Sequence, residues 1–260
     1  MKRTLFKYFV ELTGNPVSSS LLKSFTTSRL SQPLVRPFST VYHINEEEME
    51  YPLHHYKSLQ AFFTRQLQEG RRQIDDSPNT MISPVDGVLS GMGQIDASQT
   101  FLIKDHQYRL DEIMGTDKQA SPYKDGFYFI FYLSPSHYHH FHYPMTGELI
   151  SRYALGGVSY PVNNLGLRLG QSPFSTNHRL ISEVQTPYGK MAIVKVGALN
   201  VNSIQILNAS KECVKGNAFG HFSFGSTVIL FVENHPDFTP TVHLNTEVKV
   251  GQPVGEWIQQ

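Results

Sequence analysis

The sequence has little cysteine, no net charge and no long hydrophobic run. Its 260 residues include one cysteine, Cys213, so no disulfide can form within the chain. The formal net charge is +0, which argues against nucleic acid as the main partner. No apolar run reaches the ~18 residues that a membrane-spanning helix needs. The densest run, Phe127–Leu133, is typical of a buried strand.

The residues that are present predict an α+β fold. Hydrophobic residues make up 40% of the chain and charged residues 17%, as in a folded globular protein. Up to about residue 75 the patterns are helical, with candidate segments at 18–30, 32–42 and 58–67. Beyond it, strands are predicted at 127–133, 180–186, 191–196, 201–207 and 227–232. We therefore expect an N-terminal helical segment, residues 1–75, and a β-rich domain, residues 76–260.

The first twelve residues predict an amphipathic helix. Basic side chains alternate with apolar ones that gather on one side, and no signal-peptide cleavage site follows. Such a helix can lie in a membrane interface, or it can pack its apolar side on the protein. The pattern alone favours packing on the protein, whereas a lipid substrate would favour the interface.

Four of the 12 histidines lie between residues 137 and 142. Imidazole titrates near neutral pH, so this density indicates acid–base or metal chemistry. In an extended chain His137 and His139 share one face, and His140 and His142 share the other. No His-Glu-x-x-His motif and no cysteine pair supports a closed zinc site. We expect His137 and His140 to be ordinary core or surface residues.

Two further motifs carry candidate catalytic groups. Asp86 stands between an apolar segment and Gly87, where an aspartate usually only forms a turn, unless it orients a histidine. Ser226 follows Gly225 and precedes an apolar run. Glycine permits a strained backbone in which the serine hydroxyl reaches the preceding carbonyl carbon, and a nearby histidine can take the hydroxyl proton.

Together these three motifs, in this order and rough spacing, resemble the phosphatidylserine decarboxylase family. The resemblance rests on Ser-Pro-Val-Asp86-Gly, on the stretch from Tyr138 to His142 and on Phe-Gly-Ser226-Thr. Further matches lie at residues 59–65, 160–163, 177–179 and 196–198. The resemblance extends from about residue 56 to the C-terminus, and the chain looks like the short bacterial form. The end of the chain, residues 248–255, also resembles the strand–turn ending of barrel-sandwich hybrid folds, so we expect a catalytic domain of that type.

The resemblance implies an enzyme that makes its own cofactor. Asp86 would orient His142, and His142 would deprotonate Ser226, so that the backbone breaks between Gly225 and Ser226. The products would be a β chain of residues 1–225 and an α chain of residues 226–260. Ser226 would become a covalent pyruvoyl group that forms a Schiff base with phosphatidylserine. Loss of carbon dioxide, with His139 as proton donor, would give phosphatidylethanolamine in phospholipid biosynthesis, with no metal required.

It also implies a homodimer bound peripherally to the cytoplasmic side of the cell membrane. As donors for the lipid phosphate we consider the backbone amides near residues 156–157 and the side chain of Arg179. Two alternatives stay open. One is a metal-dependent enzyme that uses the histidine cluster, and the other is a non-catalytic barrel-sandwich module that binds another protein.

Overall fold

The computed structural model describes residues 23–96, 98–103, 106–157, 173–197, 203–223 and 225–258. The predicted amphipathic helix of the first twelve residues and the motif at 160–163 lie outside these ranges. The fold is α+β and rich in strands, with helices at the N-terminal end, which confirms the predicted class.

The N-terminal part is a small helical cluster with its own apolar core. Helical residues 23–27 come first. The elements that follow are 3-10 turns and two α-helices: Arg29–Leu34, α1 (Val35–Tyr42), Glu46–Glu48, Leu53–His55 and α2 (Leu59–Phe63). Their inward side chains, among them Phe38, Met49 and Phe62, pack in one cluster. The hydroxyl of Ser58 accepts from the Ala61 N–H at 3.2 Å, so the predicted N-cap of α2 is confirmed.

Helix α2 is shorter than the predicted segment 58–67. It ends at Phe63, and Leu67 forms an antiparallel bridge with Met49. The acidic run Glu46–Glu48 begins at the cap Asn45, whose side chain accepts from the Glu47 N–H. Glu48 turns inward from this run to pair with Arg72.

The rest of the described chain is built from strands, with three short α-helices and the 3-10 helix Ser121–Tyr123 between them. The strands are β1 (Thr80–Ile82), β2 (Gly87–Gln94), β3 (Thr100–Ile103), β4 (His106–Arg109), β5 (Phe127–Leu133), β6 (His140–His142), β7 (Gly147–Leu155), β8 (Arg179–Thr186), β9 (Gly189–Gly197), β10 (Ile204–Ile206), β11 (Glu212–Cys213), β12 (Ala218–Phe222), β13 (Ser226–Val232), β14 (Phe238–Pro240), β15 (Glu247–Val248) and β16 (Pro253–Trp257). The helices are α3 (Leu110–Met114), α4 (Asp117–Ala120) and α5 (Pro173–Thr176).

An eight-stranded antiparallel sheet forms the centre of the molecule, in the order β11-β7-β8-β9-β13-β5-β2-β15. It is open, since β11 and β15 are its edges. Both faces are covered, so β5 and β13 are apolar at almost every position. Phe129 and Phe131 of β5 belong to one core, whereas Ile130 belongs to the core on the other face. The predicted strands at 127–133, 180–186, 191–196 and 227–232 and the turn at 187–190 are confirmed.

A three-stranded sheet, β10-β12-β6, carries the histidine segment. Strand β12 pairs with β6 on one side and with β10 on the other. Gly220 of β12 permits a close approach, because a Cβ there would lie 2.3 Å from the ring of Phe141 and 2.3 Å from the Gln205 carbonyl oxygen. Three more strands form the sheet β1-β16-β14, and β3 and β4 form a hairpin.

Among the residues described, no helix has the length and apolar character needed to cross a membrane.

Candidate active site

Ser226 opens β13 inside the central sheet. It pairs with Leu133 of β5 on one side and with Gly197 of β9 on the other. The residue is 0% exposed, and its Oγ has no hydrogen-bond partner among the described residues. A buried hydroxyl without a partner is costly, which is why such groups are uncommon outside functional sites. The Ser226 oxygen is therefore held dry and available as a nucleophile.

The backbone before Ser226 differs from our expectation. We expected Gly225 to permit a strained geometry, but it is not among the residues with positive φ. A Cβ at this position would meet no atom of the described residues within 4 Å. Neither a left-handed backbone nor a close contact therefore requires glycine at 225 in the folded chain.

His142 ends β6 and is oriented through one ring nitrogen. Its Nδ1 lies 2.7 Å from the carbonyl oxygen of Gly216. A carbonyl only accepts, so Nδ1 carries the proton and the lone pair of the neutral ring is at Nε2. Nε2 is buried and has no partner among the described residues. This is the arrangement of a general base whose tautomer is fixed and whose basic nitrogen is free.

Several charges act on His142. Burial lowers the pKa of the imidazole below its usual value of 6.5, and the positive charge of Arg72 lowers it further. The Gly216 carbonyl and the negative charge of Asp86 oppose this change. Because the lowering prevails, the ring is neutral at neutral pH and can accept a proton.

Asp86 lies in the loop between β1 and β2 and is 5% exposed. The backbone N–H of His142 donates to the carbonyl oxygen of Pro84 at 2.8 Å, which places the Asp86 loop beside β6. The carboxylate accepts from the Val250 N–H at 2.9 Å and from Arg72, whose Nε lies 2.9 Å from Oδ1 and whose Nη2 also contacts Oδ2. The negative charge of Asp86 raises the pKa of His142, whereas the hydrogen bond to the ring is made by the Gly216 carbonyl.

Arg72 was not predicted from the sequence, although it holds Asp86 in place. Its Nη2 also pairs with Glu48 at 2.9 Å, so one guanidinium joins two carboxylates. Burial raises the pKa of Glu48, but hydrogen bonds from Arg72 and Lys249 outweigh this and hold the pKa below its usual value. No local pattern marks Arg72, because its role comes from a contact with a residue 14 positions further along the chain.

His139 is 0% exposed, and neither of its ring nitrogens has a partner among the described residues. The ring of Phe63 lies against it, with 3.8 Å between the ring centroids. Burial, followed by the charge of Arg65, holds the pKa of His139 well below its usual value. The resting imidazole is therefore neutral and has to take up a proton before it can donate one.

The other two histidines of the segment have partners within the protein. Nδ1 of His137 accepts from the Ser134 N–H at 2.9 Å. His140 is 2% exposed, and its Nε2 lies 3.1 Å from the carbonyl oxygen of Thr64. Burial lowers the pKa of His140 to about 4, so it stays neutral. Nδ1 of His140 is buried without a partner among the described residues, and the expectation that both histidines are ordinary core or surface residues stays a prediction.

Arg179 does not fit the role of phosphate donor. It is 3% exposed, and its guanidinium donates to four backbone carbonyl oxygens. These carbonyls belong to Ile113, Ser175, Asn177 and Glu112. The side chain ties β8 to helix α3 and to the end of α5, so our interpretation of Arg179 from the sequence is wrong.

No group of three or more His, Cys, Asp or Glu side chains that could hold a metal ion occurs within the described part of the chain. The candidate residues are thus a buried serine, two neutral histidines and a carboxylate held by an arginine, and the structure brings the segments of Asp86 and His142 side by side.

Comparison with known proteins assigns the chain to a family of enzymes. The profile of the phosphatidylserine decarboxylase family matches residues 59–256. A phosphatidylserine decarboxylase proenzyme of Halalkalibacterium halodurans is 45% identical over 262 residues, covering 100% of both chains. One of Geobacillus kaustophilus is 44% identical, covering 100% of this chain and 98% of the relative. This chain belongs to the phosphatidylserine decarboxylase family.

Among solved structures, the glucose permease IIA of Mycoplasma capricolum is similar to part of this chain. It is 17% identical, with a TM-score of 0.33, and the match covers 68% of this chain and 93% of the permease chain. These values are too low to support an argument about the fold.

Proposed function

We propose that this protein converts phosphatidylserine to phosphatidylethanolamine with a pyruvoyl group that it makes from its own Ser226. Family membership supports the reaction, and the relatives are named proenzymes. The residue assignment follows the family motif around Ser226, and the observation that supports it is that Oγ of Ser226 and Nε2 of His142 are buried without partners among the described residues. The dry, unpartnered hydroxyl also fits a residue that is converted chemically rather than one that stabilises the fold.

Self-cleavage would begin with proton transfer to His142. Nε2 takes the proton of the Ser226 hydroxyl, while Nδ1 keeps its hydrogen bond to Gly216 and Asp86 stabilises the resulting positive charge. The oxygen attacks the carbonyl carbon of Gly225 and the bond to the Ser226 nitrogen breaks, so an ester replaces the amide. The proton goes to the nitrogen, which becomes an amine.

The ester is then eliminated. Loss of the Ser226 α-proton expels the Gly225 carboxylate and leaves a carbon–carbon double bond in residue 226. One water molecule adds to the corresponding imine, and one ammonia leaves. The pairing of β13 with β5 and β9 keeps the new N-terminus of the α chain within the central sheet after the break.

When formed, the pyruvoyl carbonyl supplies an electron sink for the amine of the substrate. The surroundings of residue 226 exclude water, because residues 226–232 are all buried. His139 is the candidate for moving the proton that replaces the lost carboxylate. Its neutral resting state means that it has to be charged during the reaction, for example by the approach of an anionic substrate.

The function is tested by incubating the purified enzyme with vesicles that contain phosphatidylserine and measuring carbon dioxide and phosphatidylethanolamine. We expect both products in equal amounts, and none from vesicles in which phosphatidylglycerol replaces phosphatidylserine. Borohydride added with the substrate should stop the reaction and attach the lipid to the small chain. Turnover that survives this treatment would argue against a carbonyl cofactor.

The rate of self-cleavage should depend on pH through His142. Because burial lowers the pKa of this residue, the rate should be level at neutral pH and should fall only as the pH drops below 6.5, where the ring becomes protonated. The measurement is the cleaved fraction of freshly synthesised precursor against time at each pH. A rate that stays level into strongly acidic pH would remove His142 from the role of base.

We also propose a peripheral position on the cytoplasmic side of the cell membrane and a homodimeric assembly. The lipid substrate supports contact with a membrane surface. Flotation with anionic vesicles and the mass in solution, each measured on the full chain, test these two proposals separately.

A further inference from the structure

Arg65 is a buried arginine with unused hydrogen-bond donors. It follows α2 and is 4% exposed. Its Nη2 donates to the carbonyl oxygens of Ser136 at 2.7 Å and His137 at 3.0 Å. Its Nε and Nη1 are buried and have no partner among the described residues. Two of the three guanidinium nitrogens are thus removed from water without a hydrogen-bond partner among the described residues.

The charge of Arg65 is unpaired as well. Within the described ranges its nitrogens donate only to backbone carbonyls, its guanidinium carbon lies 5.4 Å from the centroid of the Phe62 ring, and no carboxylate pairs with it. Burial lowers the pKa of Arg65 to about 10, so the group is still a cation at neutral pH. Removing a charge from water without a partner is unfavourable. Such a group indicates a site that an anion completes.

Arg65 and His139 share one buried cluster. Arg65 contacts the chain at His137, two positions before His139, and its charge lowers the pKa of His139. Phe63, on the same segment as Arg65, packs against the His139 ring. The cluster contains four nitrogens without partners, Nε and Nη1 of Arg65 and both ring nitrogens of His139. All four nitrogens are excluded from solvent.

We propose that Arg65 binds the phosphodiester of the lipid headgroup. The inference rests on the proposed function, in which His139 moves the proton at the reacting carbon. In phosphatidylserine one oxygen and one carbon separate the phosphorus from that carbon, so the phosphate ligand and the proton donor must be neighbours. The guanidinium fork matches the geometry of phosphate oxygens.

Other groups suit this role less well. Arg179 donates to backbone carbonyls, and Arg72 is paired with Asp86 and Glu48. The carboxylate of the substrate is a poorer partner for Arg65 than the phosphate. A cation on the carboxylate would stabilise a charge that disappears as carbon dioxide leaves, and so would raise the barrier.

Arg65→Lys and Arg65→Gln test the proposal, with Arg109→Lys as the matched control because Arg109 is exposed. Each protein is analysed by intact mass for cleavage and assayed with soluble dihexanoyl-phosphatidylserine. Inhibition by the product analogue dihexanoyl-phosphatidylethanolamine, which has the phosphate but no carboxylate, is measured as well. We expect both Arg65 variants to be cleaved. Their KM should be about 10- to 100-fold higher than that of the wild type, and their product inhibition constant should be raised to a similar extent. Arg109→Lys should behave like the wild type.

The alternatives give different results. A raised KM with unchanged product inhibition would assign Arg65 to the carboxylate and overturn the proposal. Unchanged values for both lipids would overturn it too, and would leave Arg65 only as the residue that holds the backbone at Ser136 and His137. If the wild type itself released no carbon dioxide, the proposed function would fail instead.

A second test needs no variant. The guanidinium ¹⁵Nε signal of Arg65 in the cleaved wild type is followed while dihexanoyl-phosphatidylethanolamine is added. We expect this signal to shift in a saturable manner, since a new hydrogen bond forms at Nε. A signal that stays in place at saturating lipid would exclude phosphate binding at Arg65, even if the variants failed to fold.

Discussion

Replacing Ser226 with Ala should leave the chain whole and inactive. The hydroxyl is the atom that breaks the backbone and the source of the cofactor, so alanine removes both functions at once. A denaturing mass spectrum should give a single chain of about 29.5 kDa for the variant. The wild type should give two fragments divided between residues 225 and 226, the smaller one lighter by one ammonia than a peptide that begins with serine. Decarboxylation should fall by at least roughly 10³-fold.

Ser203→Ala is the matched control for this experiment. Ser203 is 1% exposed and its hydroxyl also has no partner among the described residues, so the two substitutions remove the same kind of group from the same kind of surroundings. The Ser203 variant should cleave and react like the wild type. Cleavage of Ser226→Ala at the same bond would refute the assignment of the nucleophile. If the folded wild type stayed uncleaved, residue 226 would still be a serine and no pyruvoyl group would be present.

The central strands were predictable because their environment is uniform. Strand β5 is buried on both faces, and a strand of that kind is a continuous apolar run in the sequence. The hairpin of β8 and β9 was marked by a turn that contains Gly189, which has a φ of 111°. The boundaries agree within two residues because the turns at the strand ends contain glycine or proline.

The short helices α3 and α4 could not be predicted in this way. Each has five residues or fewer, too short to be stable alone, and their stability comes from the core that they cover. Leu110 and Ile113 of α3 are 0% exposed and pack in the same core as Ile130 of β5. Such elements depend on contacts with distant parts of the chain, which a local pattern does not contain.

The same difference between local patterns and distant contacts applies to the candidate site. Asp86, His142 and Ser226 were selected because three motifs occur together, and their catalytic roles stay predictions. The partners of these residues could not be seen in the motifs. The carbonyl that orients His142 belongs to Gly216, a residue that any side chain pattern overlooks. Arg179, which we considered as a phosphate donor from the sequence, donates to backbone carbonyls. Arg72, which the sequence did not suggest, holds Asp86.

Replacing Arg72 with Met should be the most destabilising change near the site. The side chains of Arg72 and Asp86 are 9% and 7% exposed, and removal of the arginine leaves the buried carboxylate with only the Val250 N–H. Breaking a buried ion pair by removing one partner costs about 3–5 kcal/mol. We expect that loss in the free energy of unfolding by urea, measured in the Ser226→Ala background so that every protein is one uncleaved chain.

Glu48→Gln is the control that separates the two carboxylates. The side chain of Glu48 is 17% exposed, more than that of Asp86. This substitution removes the charge of Glu48 and leaves the pair of Arg72 with Asp86 intact. The loss should be about 1 kcal/mol or less. Equal losses in the free energy of unfolding for the two variants would mean that the contact of Arg72 with Asp86 stabilises the fold no more than its contact with Glu48.

Arg72→Met should also change self-cleavage in a direction that identifies the role of Asp86. Burial and the charge of Arg72 lower the pKa of His142 and the charge of Asp86 raises it, so removing the arginine leaves burial alone to oppose the raising effect. The pH at which cleavage reaches half its maximal rate should therefore move upward in Arg72→Met and downward in Asp86→Asn. Movement of both midpoints in the same direction would mean that the charge of Asp86 does not control the pKa of His142. The carboxylate would then serve only as a partner for Arg72 and Val250. Opposite movement would establish that Asp86 acts on the base through its charge, because the Gly216 carbonyl already supplies the hydrogen bond.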